Sequence, residues 1–353
     1  MKLASAGRWA HGRRRMDTFG GLRLLVACVA FLTCAGVAHA TCDKAPDLGL
    51  YQAPPAPIDP AAATQTPASA SVQSASGPTG ADRIGRMVAP VTINGQGPFR
   101  FIIDTGANRS VVSNELALHL GLAELGTGEV HSVHGVSTAP LVSVENFVYG
   151  ALPLGGEQMP VLGGAVLAGE QGVLGVDGMR DRRLMLDFER RCIEIVPSRS
   201  AHRLPGWAVI RGQLKFGTLV VVRGSINGLH VNLLLDTGSD VSLANEALRD
   251  ALNAHVYHDH VRLDYAVAYA QGRPVILENA ILIPQMAMGE LEIRSVTAYV
   301  GNFHIFELWD LLEEPTLLIG MDVLQQTRGM AIDYGRRTVA LHIRDALRLG
   351  TRL

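Results

Sequence analysis

The sequence has little excess charge, few aromatic residues and few cysteines. The 31 Lys and Arg nearly balance the 33 Asp and Glu, aromatic residues make up 5% of the chain, and only 4 of the 353 residues are cysteines. A net charge of −2 provides no basic surface for nucleic acid. Glycine is abundant instead, with 38 residues. The length and the composition together predict a turn-rich β protein with two lobes and additional segments.

The N-terminal segment has the features of an export signal. Arginines at 13–15 precede an apolar run at 24–38, which has about the length of a signal-peptide core. Ala38-His39-Ala40 fits the small-x-small cleavage pattern, and the segment from Met16 to Ala40 forms a compact signal by itself. We therefore predict that residues 1–40 are a signal peptide and that the chain is periplasmic or secreted. The alternative is an uncleaved membrane anchor, although the run is short for a spanning helix.

The next segment, 41–83, is rich in Pro, Ala, Ser, Thr and Gln and lacks apolar periodicity. Such a composition predicts an extended or disordered linker. Because Cys28 and Cys34 fall in the predicted signal, Cys42 and Cys192 are left in the exported chain. In an oxidising compartment these two can form one disulfide that ties the linker to the first lobe. Two unpaired thiols are the alternative, since the sequence cannot place Cys42 within bonding distance.

The most informative stretch occurs twice. Residues 101–106 read Phe-Ile-Ile-Asp-Thr-Gly, and residues 233–238 read Leu-Leu-Leu-Asp-Thr-Gly. Each copy is an apolar strand that ends at an Asp, and we expect the Gly to permit a tight turn. If the copies pack about a two-fold axis, the two carboxylates meet, as a shared-proton pair requires. A single copy could be a simple strand-end turn, but two matched copies argue against that interpretation.

Three further elements recur in the same order around this stretch. Asn-Gly between apolar runs predicts a hairpin turn in each copy, because both residues accept positive φ. An apolar-apolar-Gly element and a closing hairpin follow in both halves, so a unit of over 100 residues is duplicated. The matched segments are 93–95 with 226–228, 173–175 with 318–320, and 186–191 with 332–337.

These motifs together resemble the retropepsin-like aspartic proteases, in particular the bacterial members that carry two such domains in tandem behind a signal. The resemblance implies an all-β fold with two closed-barrel lobes of the retropepsin/pepsin type, at 84–200 and 201–353. The lobes would be related by a pseudo-two-fold axis, with the active site between them. It further implies an aspartic endopeptidase that acts on a peptide or protein substrate as a monomer, with no cofactor and no metal. Any contact with a membrane would be made through an uncleaved N-terminal segment.

The resemblance also assigns roles to individual residues. Asp104 and Asp236 would be the catalytic pair, and Thr105 and Thr237 would lock the two loops through crossed hydrogen bonds. Gly106 and Gly238 would donate main-chain N–H groups to the carboxylates. The apolar-Gly elements that brace the loops would contain Leu174, Gly175, Ile319 and Gly320.

Flexible hairpins over the cleft, called flaps, are expected at 130–138 and 261–275. The tip residues that would contact substrate are His134 and Gly135 in the first and Gln271 and Gly272 in the second. The second lobe alone carries an insertion, 303–315, which we interpret as a loop packed by Phe306 and Trp309.

The residues that follow the two motifs differ. Ser239 follows the second motif, whereas Ala107 follows the first. A serine hydroxyl can hydrogen-bond an ionised carboxylate and so lower its pKa. We therefore expect Asp236 to be the more readily ionised member of the pair, which titrates jointly.

Two other functions fit parts of the sequence. A peptide-binding module with the same fold and weak or no activity is one of them, although both Asp residues are intact. A metal hydrolase is the other, because the spacing of five histidines resembles that of metal ligands. The Glu that the helical zinc-protease motif requires is missing between them. These histidines are His131, His134, His255, His258 and His260.

Overall fold

The computed structural model describes residues 75–82, 85–133, 135–155, 157–163, 167–215, 219–263 and 275–343. The predicted signal and most of the predicted linker therefore lie outside the described residues. All described residues belong to one compact unit that spans residues 40–353. Within the described ranges, no helix has the length and apolar character needed to span a membrane.

The described chain is almost entirely β. The first half contains strands β1 (Ala75–Pro78), β2 (Gly80–Ala81), β3 (Met87–Ile93), β4 (Gln96–Ile103), β5 (Val111–Ser113), β6 (Glu124–Ser132), β7 (Gly135–Ser143), β8 (Phe147–Tyr149), β9 (Leu152–Pro153), β10 (Gln158–Leu162), β11 (Gly172–Leu174), β12 (Arg182–Asp187) and β13 (Cys192–Pro197), with helix α1 (Asn114–His119). The second half contains β14 (Ala208–Lys215), β15 (Leu219–Ile226), β16 (Leu229–Leu235), β17 (Ser242–Ala244), β18 (Val256–Leu263), β19 (Val275–Met288), β20 (Leu291–Val300), β21 (Thr316–Ile319), β22 (Gly329–Asp333) and β23 (Thr338–His342), with helices α2 (Glu246–Ala251), α3 (His304–Leu308) and α4 (Met321–Leu324).

Both lobes are built around the predicted Asn-Gly hairpin. Asn94 and Asn227 both adopt φ of 50°, and the glycine after each also has positive φ, so both turns have the backbone twist that suits a two-residue hairpin. In each lobe the second strand of this hairpin then pairs in parallel with the strand that carries the apolar-Gly element: β4 with β11, and β16 with β21.

The strands of each lobe form a curved sheet around an apolar core. In the second lobe a pairing of β15 with β19 closes the order β15-β16-β21-β17-β20-β19 into a ring. The first-lobe strands follow the path β6-β7-β10-β5-β11-β4-β3-β8-β9. Fully buried side chains such as Phe101 and Leu233, which belong to the two repeated apolar strands, lie in the main core cluster. The all-β, two-lobed fold that the repeat predicts is therefore confirmed.

A six-stranded sheet joins the lobes in the order β1-β13-β12-β22-β23-β14. At its centre, β12 pairs antiparallel with its repeat equivalent β22, and Met185 lies opposite Ala331. These two residues are equivalent in the repeat, because Leu186 matches Ile332. The pairing is thus centred on the pseudo-two-fold axis, as in the interface of a symmetric dimer.

Part of the segment predicted to be a linker belongs to the fold. Ala75 pairs with Ile195, and Asp82 is buried, so residues 75–82 pack with the lobe that was predicted to start at residue 84. Strand β1 has a Ser- and Gly-containing sequence without apolar alternation, and it is held by main-chain pairing to β13. Strand β14 occupies the matching position in the second half and is likewise missing from the predicted elements.

Candidate active site

The two Asp-Thr-Gly motifs meet across the pseudo-two-fold axis. Each lies just after a buried strand, β4 or β16. The main-chain N–H of Thr105 donates to Oγ1 of Thr237 over 3.1 Å, and that of Thr237 donates to Oγ1 of Thr105 over 3.1 Å. Each hydroxyl in turn donates to a strand carbonyl of the opposite lobe, at Leu235 (2.6 Å) and Ile103 (2.7 Å). The crossed hydrogen bonds implied by the family resemblance are present.

Both motif glycines are required by the close approach of the opposite carboxyl group. An added Cβ at Gly106 would lie 2.7 Å from Cγ of Asp236. An added Cβ at Gly238 would lie still closer to Cγ of Asp104. The chain bends at both motifs, as expected, but neither glycine has positive φ. Glycine is therefore needed for this close approach and not for its own backbone conformation. The missing side chains leave the space in which the two carboxyl groups come together.

The carboxyl groups of Asp104 and Asp236 approach each other across the pseudo-two-fold axis and interact directly. Asp236 is 6% exposed, whereas Asp104 is partly exposed. Withdrawal from water raises the pKa of Asp104. Burial and the charge of Asp104 together raise the pKa of Asp236 well above its usual range. Two carboxyls this close cannot both ionise easily, so this geometry favours one shared proton.

Main-chain donors of the loops bind both carboxyls. Asp104 Oδ1 accepts from the N–H groups of Gly106 (2.8 Å) and Ala107 (2.9 Å). Asp236 Oδ1 accepts from the N–H of Gly238 at 2.8 Å, and the backbone of Ser239 also lowers its pKa. The Ser239 hydroxyl donates instead to the carbonyl of Val241 over 2.8 Å. The expectation that this hydroxyl makes Asp236 the more readily ionised carboxyl is therefore wrong.

The apolar-Gly elements support the loops as the resemblance implies. The carbonyls of Leu174 and Ile319 accept from the N–H groups of Asp104 (3.0 Å) and Asp236 (2.9 Å). An added Cβ at Gly175 would lie 2.6 Å from the backbone of Arg109, and one at Gly320 would lie 2.5 Å from the carbonyl of Val241. Only glycine lets these strands pass behind the loops.

A Ser and an Asp at matched positions in the two lobes were missing from the predicted site residues. Ser110 donates to Asp177 over 2.7 Å and accepts from the N–H of Gly175. Ser242 makes the same contacts with Asp322 (2.9 Å) and Gly320. Each Ser therefore ties an active-site loop to the element that braces it.

The first flap is a hairpin formed by β6 and β7, with Ser132 paired to Gly135. Gly135 adopts φ of 152° at the start of β7, whereas His134 lies outside the described residues. The second flap pairs Leu263 with Val275, and its predicted tip residues Gln271 and Gly272 also lie outside the described residues.

The insertion of the second lobe contacts the first flap. Helix α3 packs against β6 and β7. His131 Nδ1 lies 2.9 Å from Nε2 of His304, so one ring nitrogen donates and the other accepts. Phe306 and Trp309 are buried in a core cluster, as the sequence predicted for this loop. The contact between the flap and the insertion was missed, because nothing in the local sequence links segments this far apart.

The remaining predicted residues have separate environments. Cys192 is disulfide-bonded, and its predicted partner Cys42 lies outside the described residues. His131, one of the candidate metal ligands, contacts His304, which is not in that set. In the part of the chain that the structure describes, no three or more His, Cys, Asp or Glu side chains are grouped as a metal site.

The crossed threonine bonds should contribute measurably to stability. Thr237→Val removes a hydroxyl that donates to Ile103 and accepts from Thr105. Because both partners are buried, we expect a loss of about 2–4 kcal/mol in the free energy of unfolding. Urea unfolding of the variant measures this loss. Thr237→Ser keeps the hydroxyl and should recover most of the stability, and equal losses in the two variants would contradict the assignment.

Comparison with protein families agrees with this geometry. The model of the aspartyl protease family matches residues 89–177 and 222–323, one match on each lobe. A search of curated sequences finds no match. Among solved structures, an aspartic proteinase from Irpex lacteus is similar with a TM-score of 0.44 and 12% sequence identity, over 79% of this chain and 99% of that chain. Because the family matches cover more than half of the 353 residues and each contains one Asp-Thr-Gly motif, this chain belongs to the aspartyl protease family.

Proposed function

We propose that the chain is an aspartic endopeptidase that hydrolyses peptide bonds with a water molecule activated by Asp104 and Asp236. The observation that carries the proposal is the close approach of the two carboxyls, each of which lies against the glycine of the opposite motif and accepts from a main-chain N–H of its own loop. Such a pair holds one proton over a wide pH range. It therefore presents a base and an acid to the same bound substrate.

In the proposed reaction, the ionised carboxyl takes a proton from water as the water oxygen attacks the scissile carbonyl carbon. The protonated carboxyl gives its proton to the developing oxyanion, so that a neutral gem-diol forms. When the C–N bond breaks, the proton taken from water passes to the leaving amine. The gem-diol returns the other proton to the carboxyl that supplied it. The pair ends as it began, and no covalent intermediate is required.

The flaps are proposed to bind the substrate in an extended form. Their strands can offer main-chain hydrogen bonds to a peptide and exclude water from the carboxyl pair. In the described conformation the first flap reaches the opposite lobe through His131 and His304.

A peptide-library digest tests the proposal. The purified chain should cleave library peptides at internal bonds, and a statine-type inhibitor should block this cleavage. Asp104→Asn should lower the cleavage rate by at least about 1000-fold, because Asp236 then lacks its acid–base partner. Cleavage that survives in this variant would overturn the proposal. Binding of peptides by the parent chain without any cleavage would support the peptide-binding module instead.

A further inference from the structure

The two carboxyls of the pair lie in similar loops but in different surroundings. Asp104 accepts from two main-chain N–H groups of its loop, at Gly106 and Ala107, whereas Asp236 accepts from that of Gly238 at 2.8 Å. The crossed threonine bonds are equal in length, 3.1 Å in each direction. A charged side chain that lies on one side of the pseudo-two-fold axis can break this symmetry.

Arg86 is such a side chain. It lies immediately before β3 in the first lobe and is 3% exposed. Its Nη1 donates to the carbonyl of Gly238, in the active-site loop of the second lobe, over 3.1 Å. Gly238 is the residue whose Cα faces the carboxyl of Asp104. The guanidinium group therefore contacts the residue that separates it from the carboxyl of Asp104.

The orientation of Arg86 is fixed by Asp82. The main-chain N–H of Arg86 donates to Asp82 Oδ1 (2.8 Å), and Nε donates to Oδ2 (2.7 Å). Asp82 is also buried. The carboxylate binds one side of the guanidinium group while Nη1 points to the active-site loop, so the positive end of this ion pair faces the catalytic carboxyls.

The second half of the chain has no counterpart of this arrangement. By the match of Ile93 with Ile226, the position of Arg86 corresponds to Leu219, which is buried in an apolar cluster. Arg86 also lies 3.9 Å from Asp240, the fourth residue after Asp236. The fourth residue after Asp104 is Asn108. Arg86 and Asp240 thus both correspond to uncharged residues across the pseudo-two-fold axis.

We propose that Arg86 is a positioning residue that assigns the shared proton to Asp236 and leaves Asp104 as the ionised carboxyl that takes the proton from water. The role of Asp104 as the base rests on the proposed function. The charge of Arg86 lowers the pKa of Asp104 against the effect of burial. The pKa of Asp236 is instead raised further, beyond the effect of burial, by the charge of Asp104.

The other ionisable groups near Arg86 and the carboxyl pair do not produce the same difference between Asp104 and Asp236. Tyr334 is buried and is close enough to Asp104 for that charge to raise the pKa of its phenol, so it stays neutral. Asp82 and Asp240 are negative and face the guanidinium group of Arg86. Arg86 is the cation whose charge acts on Asp104.

Titration of single carboxyls tests the proposal without any need for cleavage. The pKa of each carboxyl is measured by carboxyl NMR. In the Asp236→Asn background, Arg86→Met should raise the pKa of Asp104 by a few tenths of a pH unit or more. In the Asp104→Asn background, the same change should move the pKa of Asp236 by clearly less. Equal movement in the two backgrounds, or no movement in either, would overturn the proposal. Absence of cleavage by the parent chain would overturn the proposed function, but the titrations would still show whether Arg86 acts on Asp104.

Two further variants keep the test decisive if Arg86→Met does not fold. Arg86→Lys retains the charge and should leave the pKa of Asp104 near its parent value. Asp240→Asn removes a negative charge that is 18% exposed and faces the guanidinium group, so it should lower the pKa of Asp104. In cleavage assays, the acid limb of the kcat/KM profile should move up with Arg86→Met and down with Asp240→Asn. A common direction in these two variants would contradict the proposal.

Discussion

Replacing Asp236 by Asn should abolish peptide cleavage and, at neutral pH, make the protein more stable. The loss of activity follows from the removal of one member of the pair, and we expect a rate at least about 1000-fold lower. The gain in stability follows from the buried position of the carboxyl, because burial and the neighbouring charge raise its pKa well above the usual range. An amide of the same shape can still contact Asp104 and carries no charge.

The pH dependence of this gain has a definite sign. A carboxyl with a raised pKa in the folded state stabilises the fold fully at pH values below its pKa in the unfolded chain, which is about 3.9. That stability is lost as pH rises through the pKa of the folded state. The Asn variant has no such loss. Its melting temperature should therefore exceed that of the parent most at neutral pH, and the difference should shrink towards pH 4 and below.

Thermal unfolding across this pH range measures the effect. Glu290→Gln, at the exposed turn between β19 and β20, removes one carboxyl of the same charge and is a suitable control. Its melting temperature should follow that of the parent. A drop in the stability of Asp236→Asn at neutral pH would contradict the buried shared-proton pair, even if activity were lost.

The sequence was sufficient to predict the residues of the pair, because a duplicated motif carries its own evidence. Two apolar strands that end in Asp-Thr-Gly, with matched elements in order, imply a two-fold arrangement before any coordinates are known. The lock between Thr105 and Thr237 followed from the family resemblance. These features are encoded locally within each copy, and the symmetry of the duplication supplies the long-range contact.

Other features could not be predicted, because they depend on which segments come together in space. Strand β1 is held by main-chain bonds to β13, and its side chains give no apolar pattern. Contact of the flap with α3 joins His131 to His304, which are far apart in the sequence. The hydroxyl of Ser239 has more than one acceptor within reach, and only the folded loop shows that it uses Val241.

Arg86 illustrates the same limit at the site itself. In the sequence it is one of many arginines, in a segment next to a predicted linker. Its significance comes from a contact with Gly238, which lies 152 positions away. A signal was nevertheless present, since the repeat aligns Arg86 with Leu219 and Asp240 with Asn108. Differences between aligned copies can therefore indicate where a pseudo-symmetric site becomes asymmetric.

Gly238→Ala should have the second-largest effect, because it places a methyl group where the carboxyl of Asp104 lies. The added Cβ would overlap Cγ of Asp104, and the rigid loop on which it sits is bound to the opposite lobe through Thr237. Overpacking of this kind costs about 1–3 kcal/mol. A displacement of about 1 Å between the carboxyls should lower the cleavage rate by on the order of 100-fold.

Two matched variants separate this steric effect from the general cost of losing a glycine. Gly163→Ala introduces the same methyl group where nothing lies within 4 Å, and its stability and cleavage rate should stay near those of the parent. Gly106→Ala meets Asp236 at 2.7 Å, a less severe overlap, and should fall between the two. Urea unfolding and peptide cleavage rank the three variants. If Gly238→Ala left the carboxyl titrations and the cleavage rate unchanged, the contact between the motifs of the two lobes would have to be different from the one described. The graded order would show that the two glycines are retained because each makes room for the carboxyl group of the other lobe.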